Sequence, residues 1–283
     1  MKLDLHCHST CSDGVLSPQE LYNQAVLLGL DYLSITDHDS LDSMEMVQQT
    51  GRTKFLPGVE LSVVSKSSGR KHHLLGFFPR PSAQLAAFQV RLQELRKERI
   101  ERAKAIVNLL NYHHDLALDF VQFAAFAHIN LKNNTAESTI GRPHLADFLV
   151  SKGVVESRKQ AFSLYLGDGS PSYLPSPVYY LEDAIHEVKG AGGYSFIAHI
   201  MLFGAVNLDD EIASAFAHGL DGLEVYHASN EGFFKDLAAR TKYQSLGSDY
   251  HNHESKWELG CERGNSHMSE EAKSLLAQLF NLQ

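Results

Sequence analysis

Histidines and carboxylates recur along the chain in short groups whose spacing could hold metal ions. His6 and His8 are two apart, as are Asp249 and His251, with Asp13, His38, Glu60, His73 and His199 between those pairs. Side chains two apart on a strand project to one face, so each pair can grip a single ion. Imidazole mixed with carboxylate suits zinc, manganese or iron(II), whereas magnesium alone would take more oxygen ligands. The candidate metal ligands are therefore His6, His8, Asp13, His38, Glu60, His73, His199, Asp249 and His251. Singly each has an ordinary alternative, a surface or core histidine; the argument rests on nine such positions in one chain. Glu224 and His227 stand near a further strand end and are set aside as ligands. Cys7, in line with Leu3 and Leu5, reads as a buried thiol.

The elements that must position these residues are legible from periodicity. Leu3, Leu5 and Cys7 alternate with Asp4, His6 and His8, the pattern of a half-buried strand. Ser12-Asp13-Gly14 forms a turn. Ser17-Pro18-Gln19-Glu20 is a capping box with proline at the first helical position, opening a helix to about Leu30. A strand over 31–36 ends at Asp37-His38-Asp39, and a short helix follows over roughly 40–49. Pro57-Gly58 opens a strand over 59–64, and another spans 71–77. Later come a helix over 181–191 closed by Gly192-Gly193, strands over 194–198, 221–226 and 243–247, and a last helix over 275–282. His199 and Ser248-Asp249-Tyr250-His251 follow strand ends. This alternation of strand and helix predicts an α/β architecture with largely parallel strands. In a parallel barrel the strand C-termini converge on one face, so ligands distant in sequence would meet there.

The middle differs. Residues from about 82 to 160 show mostly helical periodicity, including a helix over 92–110 whose Arg96-Lys97-Glu98-Arg99 reads as a solvated face, and a loop rich in Gly, Ser and Pro follows over 167–177. The expected domains are a metal-binding barrel from 1–81 and 179–283, and an inserted helical lid subdomain at 82–178.

With 283 residues, 43% hydrophobic and 21% charged, the chain can bury a full core. Its net charge of −9 argues against a grip on duplex nucleic acid, but a small anionic substrate can still bind where bound metals reverse the local sign. Only three cysteines occur, which fits a reducing compartment. With no apolar leader and no run approaching a membrane span, a cytoplasmic location is expected. The oligomeric state stays open.

The motifs Asp4-Leu5-His6-Cys7-His8, Ser12-Asp13-Gly14, Thr36-Asp37-His38-Asp39 and Pro57-Gly58-Val59-Glu60 occur in order, followed by His73-Leu74-Leu75-Gly76, Ala198-His199 and Gly247-Ser248-Asp249-Tyr250-His251. In this the chain resembles the polymerase and histidinol phosphatase (PHP) superfamily across nearly its whole length. The resemblance implies a distorted (β/α)7 TIM-like barrel, the PHP fold, and a phosphoesterase centre of two to three divalent ions, manganese first, with iron or zinc as alternatives. It implies one ion on His6, His8, Glu60 and Asp249, a second sharing Glu60 and taking His73 and His199, and a third on Asp13, His38 and His251. The nucleophile would be a metal-bound hydroxide held by Glu60, Asp13 and Asp249. Asp4 and Asp37 would orient the ligand imidazoles.

Within the superfamily, the length and insertion resemble the 3′,5′-nucleotide bisphosphate phosphatases, some of which act as 5′ exoribonucleases on short RNA (the RNase AM group). Gly141-Arg142-Pro143-His144-Leu145-Ala146 matches the insertion motif and Tyr173-Leu174-Pro175 its loop, which implies Arg142 and His144 as substrate-binding residues and a nucleotide or short RNA as substrate. The chain departs from the pattern at three places. Ile200-Met201-Leu202 follows His199 in place of Pro-Gly-Arg, Asp147 replaces an arginine, and Ser170 replaces a lysine. A histidinol-phosphate phosphatase and a metal-binding regulatory module without turnover are the alternatives. A polymerase-associated proofreading domain is set aside, because the 283 residues contain no polymerase region.

Overall fold

The first helix, Pro18–Leu28, starts where its signal predicts. Ser17 Oγ accepts from the Glu20 N–H at 3.3 Å while the Glu20 carboxylate accepts from the Ser17 N–H at 2.8 Å, which satisfies two N-terminal donors reciprocally. The helix stops short of Leu30 because Gly29 takes a left-handed φ of 70° and turns the chain. The computed structural model describes residues 1–80, 82–132, 135–136, 139–175, 179–204, 207–252 and 254–281. Positions 81 and 178 at the expected domain borders, 176–177 of the expected loop and 282 of the expected last helix lie outside them.

Two sheets carry the candidate ligands. β1 (Leu3–Asp4), β2 (Tyr32–Leu33) and β3 (Lys54–Phe55) form a parallel sheet in the order β1-β2-β3. β4 (Gly58–Val64), β5 (Lys71–Phe77), β6 (Tyr194–Ile197), β7 (Gly222–Tyr226) and β8 (Tyr243–Leu246) form the second, in the order β8-β7-β6-β5-β4. Parallel bridges Cys7–Tyr250 and His38–Glu60 join the extended chain beyond β1 and β2 to the second sheet.

Outside these two sheets, the short strands Ile129–Asn130 and Thr135–Ala136 pair antiparallel. Within the two sheets the expectation of largely parallel strands holds for every pair except those of β5, which runs antiparallel to both β4 and β6. The reason is the connection. Residues 65–70 only turn the chain, whereas a parallel return needs a crossover of about a dozen residues or more. The reversal puts His73, near the start of β5, at the same edge as residues that follow the ends of parallel strands.

The strand expected to be half-buried at the N-terminus is buried on both faces. Leu3, Leu5 and Cys7 pack inward on one side, and Asp4, His6 and His8 are 0% exposed on the other. Its polar face is therefore turned into an interior lined by other polar side chains, not into water. Cys7, Leu21, Tyr22, Ala25, Leu30, Leu33 and Ile35 form an apolar cluster under the first sheet.

The chain divides into two compact units, residues 1–90 with 179–283, and residues 91–178. The helix expected over 92–110 is longer, Ala83–His114. Within the second unit its Ile106, Val107 and Leu110 pack with Phe123, Phe148 and Leu149. Among the described residues no helix is long and apolar enough to cross a membrane.

Candidate metal centre

The nine candidate ligands converge. His6 and His8 extend from β1 onto one face, and their Nε2 atoms lie 3.2 Å apart. Asp249 Oδ1 is 3.3 Å from the first and 3.2 Å from the second. Glu60, on β4 and 1% exposed, is the hub. Its Oε1 lies 2.7 Å from His73 Nδ1, 3.0 Å from His199 Nε2 and 3.4 Å from His6 Nε2. Its Oε2 lies 3.0 Å from His38 Nδ1 and 3.2 Å from His8 Nε2. Asp13 Oδ1 is 3.3 Å from His251 Nε2 and 3.6 Å from His8 Nδ1.

Among the described residues three sets of donors are compact enough to share an ion: His8, Asp13, His38 and His251; His6, Glu60 and His199; and His6, His8 and Asp249. In each set the ligand atoms lie within 4.8 Å of one another. The expected partition differs: His8 also joins the Asp13 group, His6 replaces His73 in the Glu60 and His199 group, and Glu60 is absent from the His6, His8 and Asp249 group. His6, His8, Glu60 and His199 are sealed, whereas Asp13, His73, Asp249 and His251 keep about a quarter of their side chains exposed, at 26%, 25%, 25% and 27%. The latter form the open side.

The carboxylates behind the ligands divide differently from expectation. Asp37 does reach an imidazole, but through a hydroxyl: it accepts from Ser12 Oγ at 2.7 Å, and that hydroxyl lies 3.3 Å from His8 Nδ1. Asp4 makes no hydrogen bond to an imidazole among the described residues. It accepts from the backbone N–H groups of His6, Ser248 and Gly260 at 3.4, 3.0 and 2.8 Å, so it ties chain segments together. The carboxylate directly on a ligand ring is Glu224, whose Oε1 lies 2.9 Å from His6 Nδ1. Sequence reasoning passed it over; the available signal was a lone acid between Leu223 and Val225 in an otherwise apolar strand. His227 Nε2 lies 3.6 Å from Asp249 Oδ2, while its Nδ1 accepts from the Ser229 N–H at 3.0 Å. Two of the candidate ligands sit in backbone of positive φ, His199 at φ 25° and Asp249 at φ 54°, a strain common where side chains are aimed for function.

Burial disfavours charge on Glu60, Asp13, Asp249, His6, His8 and His38, and nearby opposite charge outweighs it for all of these but the last. Burial pushes Glu60 up, but His73, His38 and His6 outweigh it and hold the carboxyl well below its usual range. Asp249 and Asp13 are likewise held low against burial, chiefly by His6 and by His38 respectively. Burial opposes charge on His6, yet Glu224, Glu60 and Asp249 raise its pKa well above the ordinary value. His8, also opposed by burial, is raised to about 10 by Asp249 and Glu60. His38 goes the other way, to about 4, because burial prevails. The anionic oxygens thus call for buried positive charge, which divalent cations supply with the same nitrogen and oxygen donors. The donor set fits a multinuclear metal centre.

Arg142 and His144 belong to the second unit. Arg142 opens the helix Arg142–Ser151 and donates to Leu166 O at 2.9 Å and Asp168 Oδ1 at 2.6 Å. Its guanidinium carbon sits 5.1 Å from the Tyr173 ring centre and 5.6 Å from that of Phe162. His144 Nδ1 accepts from the Gly141 N–H at 3.2 Å and so caps the helix start. The three departures have structural occupations. Asp147 pairs with Arg158. Ser170 Oγ donates to Tyr165 O at 2.5 Å. Ile200 is buried at the start of a short 3-10 turn, Ile200–Phe203.

An α/β frame with such a buried histidine and carboxylate centre fits the metal-dependent enzymes. The comparisons narrow the class. The PHP domain profile matches residues 4–137. A 5′-3′ exoribonuclease of Haemophilus influenzae is 30% identical over 261 residues, covering 88% of this chain and 90% of that protein. A 3′,5′-nucleoside bisphosphate phosphatase of Chromobacterium violaceum is 30% identical over 260 residues, covering 88% and 87%. The crystal structure of a protein assigned as a metal-dependent phosphoesterase from Bifidobacterium adolescentis superposes with a TM-score of 0.76 at 32% identity, covering 91% of this chain and 90% of that one. The chain belongs to the PHP-domain phosphoesterases and is a metal-dependent phosphoester hydrolase.

Proposed function

We propose that the chain hydrolyses terminal phosphate esters of nucleotides or short oligonucleotides, 3′,5′-nucleoside bisphosphates among them, at the centre around Glu60. The observation that carries this reading is the convergence of five histidines on one buried glutamate, with Asp13 and Asp249 at the open side. The choice of nucleotides is supported by relatives whose similarity runs through 88% of the chain, insertion included. On this reading the two sheets make one distorted (β/α)7 barrel, joined through the Cys7–Tyr250 and His38–Glu60 bridges, and residues 82–178 are an inserted subdomain.

His6, His8, Glu60 and Asp249 would hold one ion, Glu60, His73 and His199 a second, and Asp13, His38 and His251 a third. Manganese is preferred, with iron or zinc as alternatives. When bound, such ions bring positive charge to phosphate oxygens and lower the pKa of water. The protein's own part is placement. Asp13 and Asp249, held ionised at the open side, accept hydrogen bonds from the attacking water and orient it, with Glu60 fixing the rings behind them. Arg142 would contact a phosphate as a two-pronged donor in exchange for Asp168, and His144 would add a hydrogen bond.

The test is phosphate release by manganese-loaded protein from a panel of 3′,5′-bisphosphates, nucleoside monophosphates, short 5′-phosphorylated RNA and histidinol phosphate. The reading predicts that a nucleotide substrate is best. Histidinol phosphate hydrolysed far better than every nucleotide would replace it with a histidinol-phosphate phosphatase. A metal-loaded protein without turnover on any member would replace it with a regulatory module.

A further inference from the structure

We infer that Glu224 is a positioning residue of the centre, whose carboxylate holds a proton of His6 on Nδ1 and thereby makes Nε2 the atom that the neutral ring offers among the other candidate ligands. The inference rests on the reading of His6 as a metal ligand.

Glu224 lies on β7 between Leu223 and Val225, and all three are 0% exposed. A carboxylate buried within a packed strand is expensive unless both oxygens are used. Both are. Oε1 faces His6 Nδ1 at 2.9 Å, and Oε2 accepts from the His199 backbone N–H at 2.8 Å. One side chain therefore holds a ring that must be aimed and the strained residue at φ 25° that carries a second ring. The surroundings are built for this placement. Asn230 Nδ2 donates to Glu224 O at 2.8 Å, and Asn230 Oδ1 accepts from the Met201 N–H at 3.2 Å, which holds the turn after His199. Gly247 leaves room for the pair, because a Cβ there would lie 2.1 Å from His6 Cβ and 2.8 Å from Glu224 Oε1.

The chemistry follows from donor and acceptor roles. An ionised carboxylate only accepts, so His6 Nδ1 must donate. The lone pair of a neutral ring then resides on Nε2. That is the atom 3.2 Å from His8 Nε2, 3.3 Å from Asp249 Oδ1 and 3.4 Å from Glu60 Oε1.

Glu224→Gln tests this with nearly constant shape. The amide oxygen can still accept from His199, but the NH₂ group would then face His6 Nδ1. Nδ1 would have to accept, moving the proton to Nε2. Metal affinity should fall about 10- to 100-fold, the usual effect of losing an outer partner of a ligand. Glu224→Asp, shorter but still an acceptor, should retain more affinity than Glu224→Gln. A residue that only fills space would give the reverse order, because Gln preserves volume and Asp does not. The ¹⁵N–¹H spectrum of the zinc-loaded wild-type protein needs no variant and should show His6 protonated at Nδ1 and not at Nε2. A His6 proton on Nε2, or wild-type affinity in Glu224→Gln, overturns the inference. His6→Ala separates the two levels. Full metal binding in that variant overturns the ligand reading itself, whereas loss there with none in Glu224→Gln overturns only the role of Glu224.

Discussion

His8 Nε2 and Asp249 Oδ1 lie 3.2 Å apart, although 241 positions separate the residues, 249 minus 8. The extended chain after β1 and that after β8 are bridged at Cys7–Tyr250, which brings the pair together. Because both would serve one ion, His8→Ala and Asp249→Ala are expected to lose metal and activity together. Each should weaken metal binding by more than the roughly 100-fold typical of losing an outer partner. Metal titration of both variants, beside kcat on the same preparations, checks this. Activity lost with metal content intact would separate their roles.

Metal uptake should depend on pH with a definite sign. A ligand imidazole must be unprotonated. Burial works against charge on His8, but Asp249 and Glu60 prevail and raise its pKa from 6.5 to about 10. Binding at neutral pH therefore displaces that proton, and affinity should rise about tenfold per pH unit for each proton released, up to about pH 10. Calorimetric titration at pH 7.5 in two buffers of different ionisation enthalpy should show at least one proton released per chain. The same shift makes a stability prediction. The raised pKa stabilises the metal-free fold fully below about pH 6.5, and this contribution fades as pH climbs through about 10. The Tm of chelator-treated protein should drop from pH 7 to pH 10 more than that of manganese-loaded protein.

Gly247→Ala should be severe despite its small size. Its Cβ would fall 2.1 Å from His6 Cβ, where no flexible end can yield. Overpacking of this kind costs about 1–3 kcal/mol or more. Chemical unfolding of the metal-free variant should show that loss, accompanied by weakened metal binding from displacement of His6. Wild-type stability would mean that the two chain segments are not so closely apposed.

Arg142→Ala should lower kcat/KM on the best nucleotide substrate about 10- to 150-fold, equivalent to a charged hydrogen bond of about 1.5–3 kcal/mol. Metal content should hold. The arginine is only 23% exposed and bonded to Leu166 and Asp168, so some stability should be lost too. An unchanged kcat/KM would leave it as a local tie between the helix start and residues 166–168.

The candidate ligands, which the fold brings together, stood out because each stands in a short motif of unusual composition, and Ser17 with Glu20 announced its helix in the same way. Glu224 was not, because a glutamate flanked by Leu223 and Val225 looks like any strand residue until His6, 218 positions away, is folded against it. The direction of β5 was hidden for a related reason. Alternation has period two in parallel and antiparallel strands alike, and only the shortness of the 65–70 turn betrays the reversal. Asp4 and Asp37 were expected to orient the candidate imidazoles, but Asp4 bonds to backbone amides and Asp37 reaches His8 only through the Ser12 hydroxyl, partners that follow from the close approach of chains that no local pattern encodes.

Elemental analysis of protein purified without chelator, and again after manganese loading, tests the central claim most directly. Nine convergent ligands predict two to three divalent ions per chain. Less than one ion per chain in both preparations would contradict a metal centre built on Glu60.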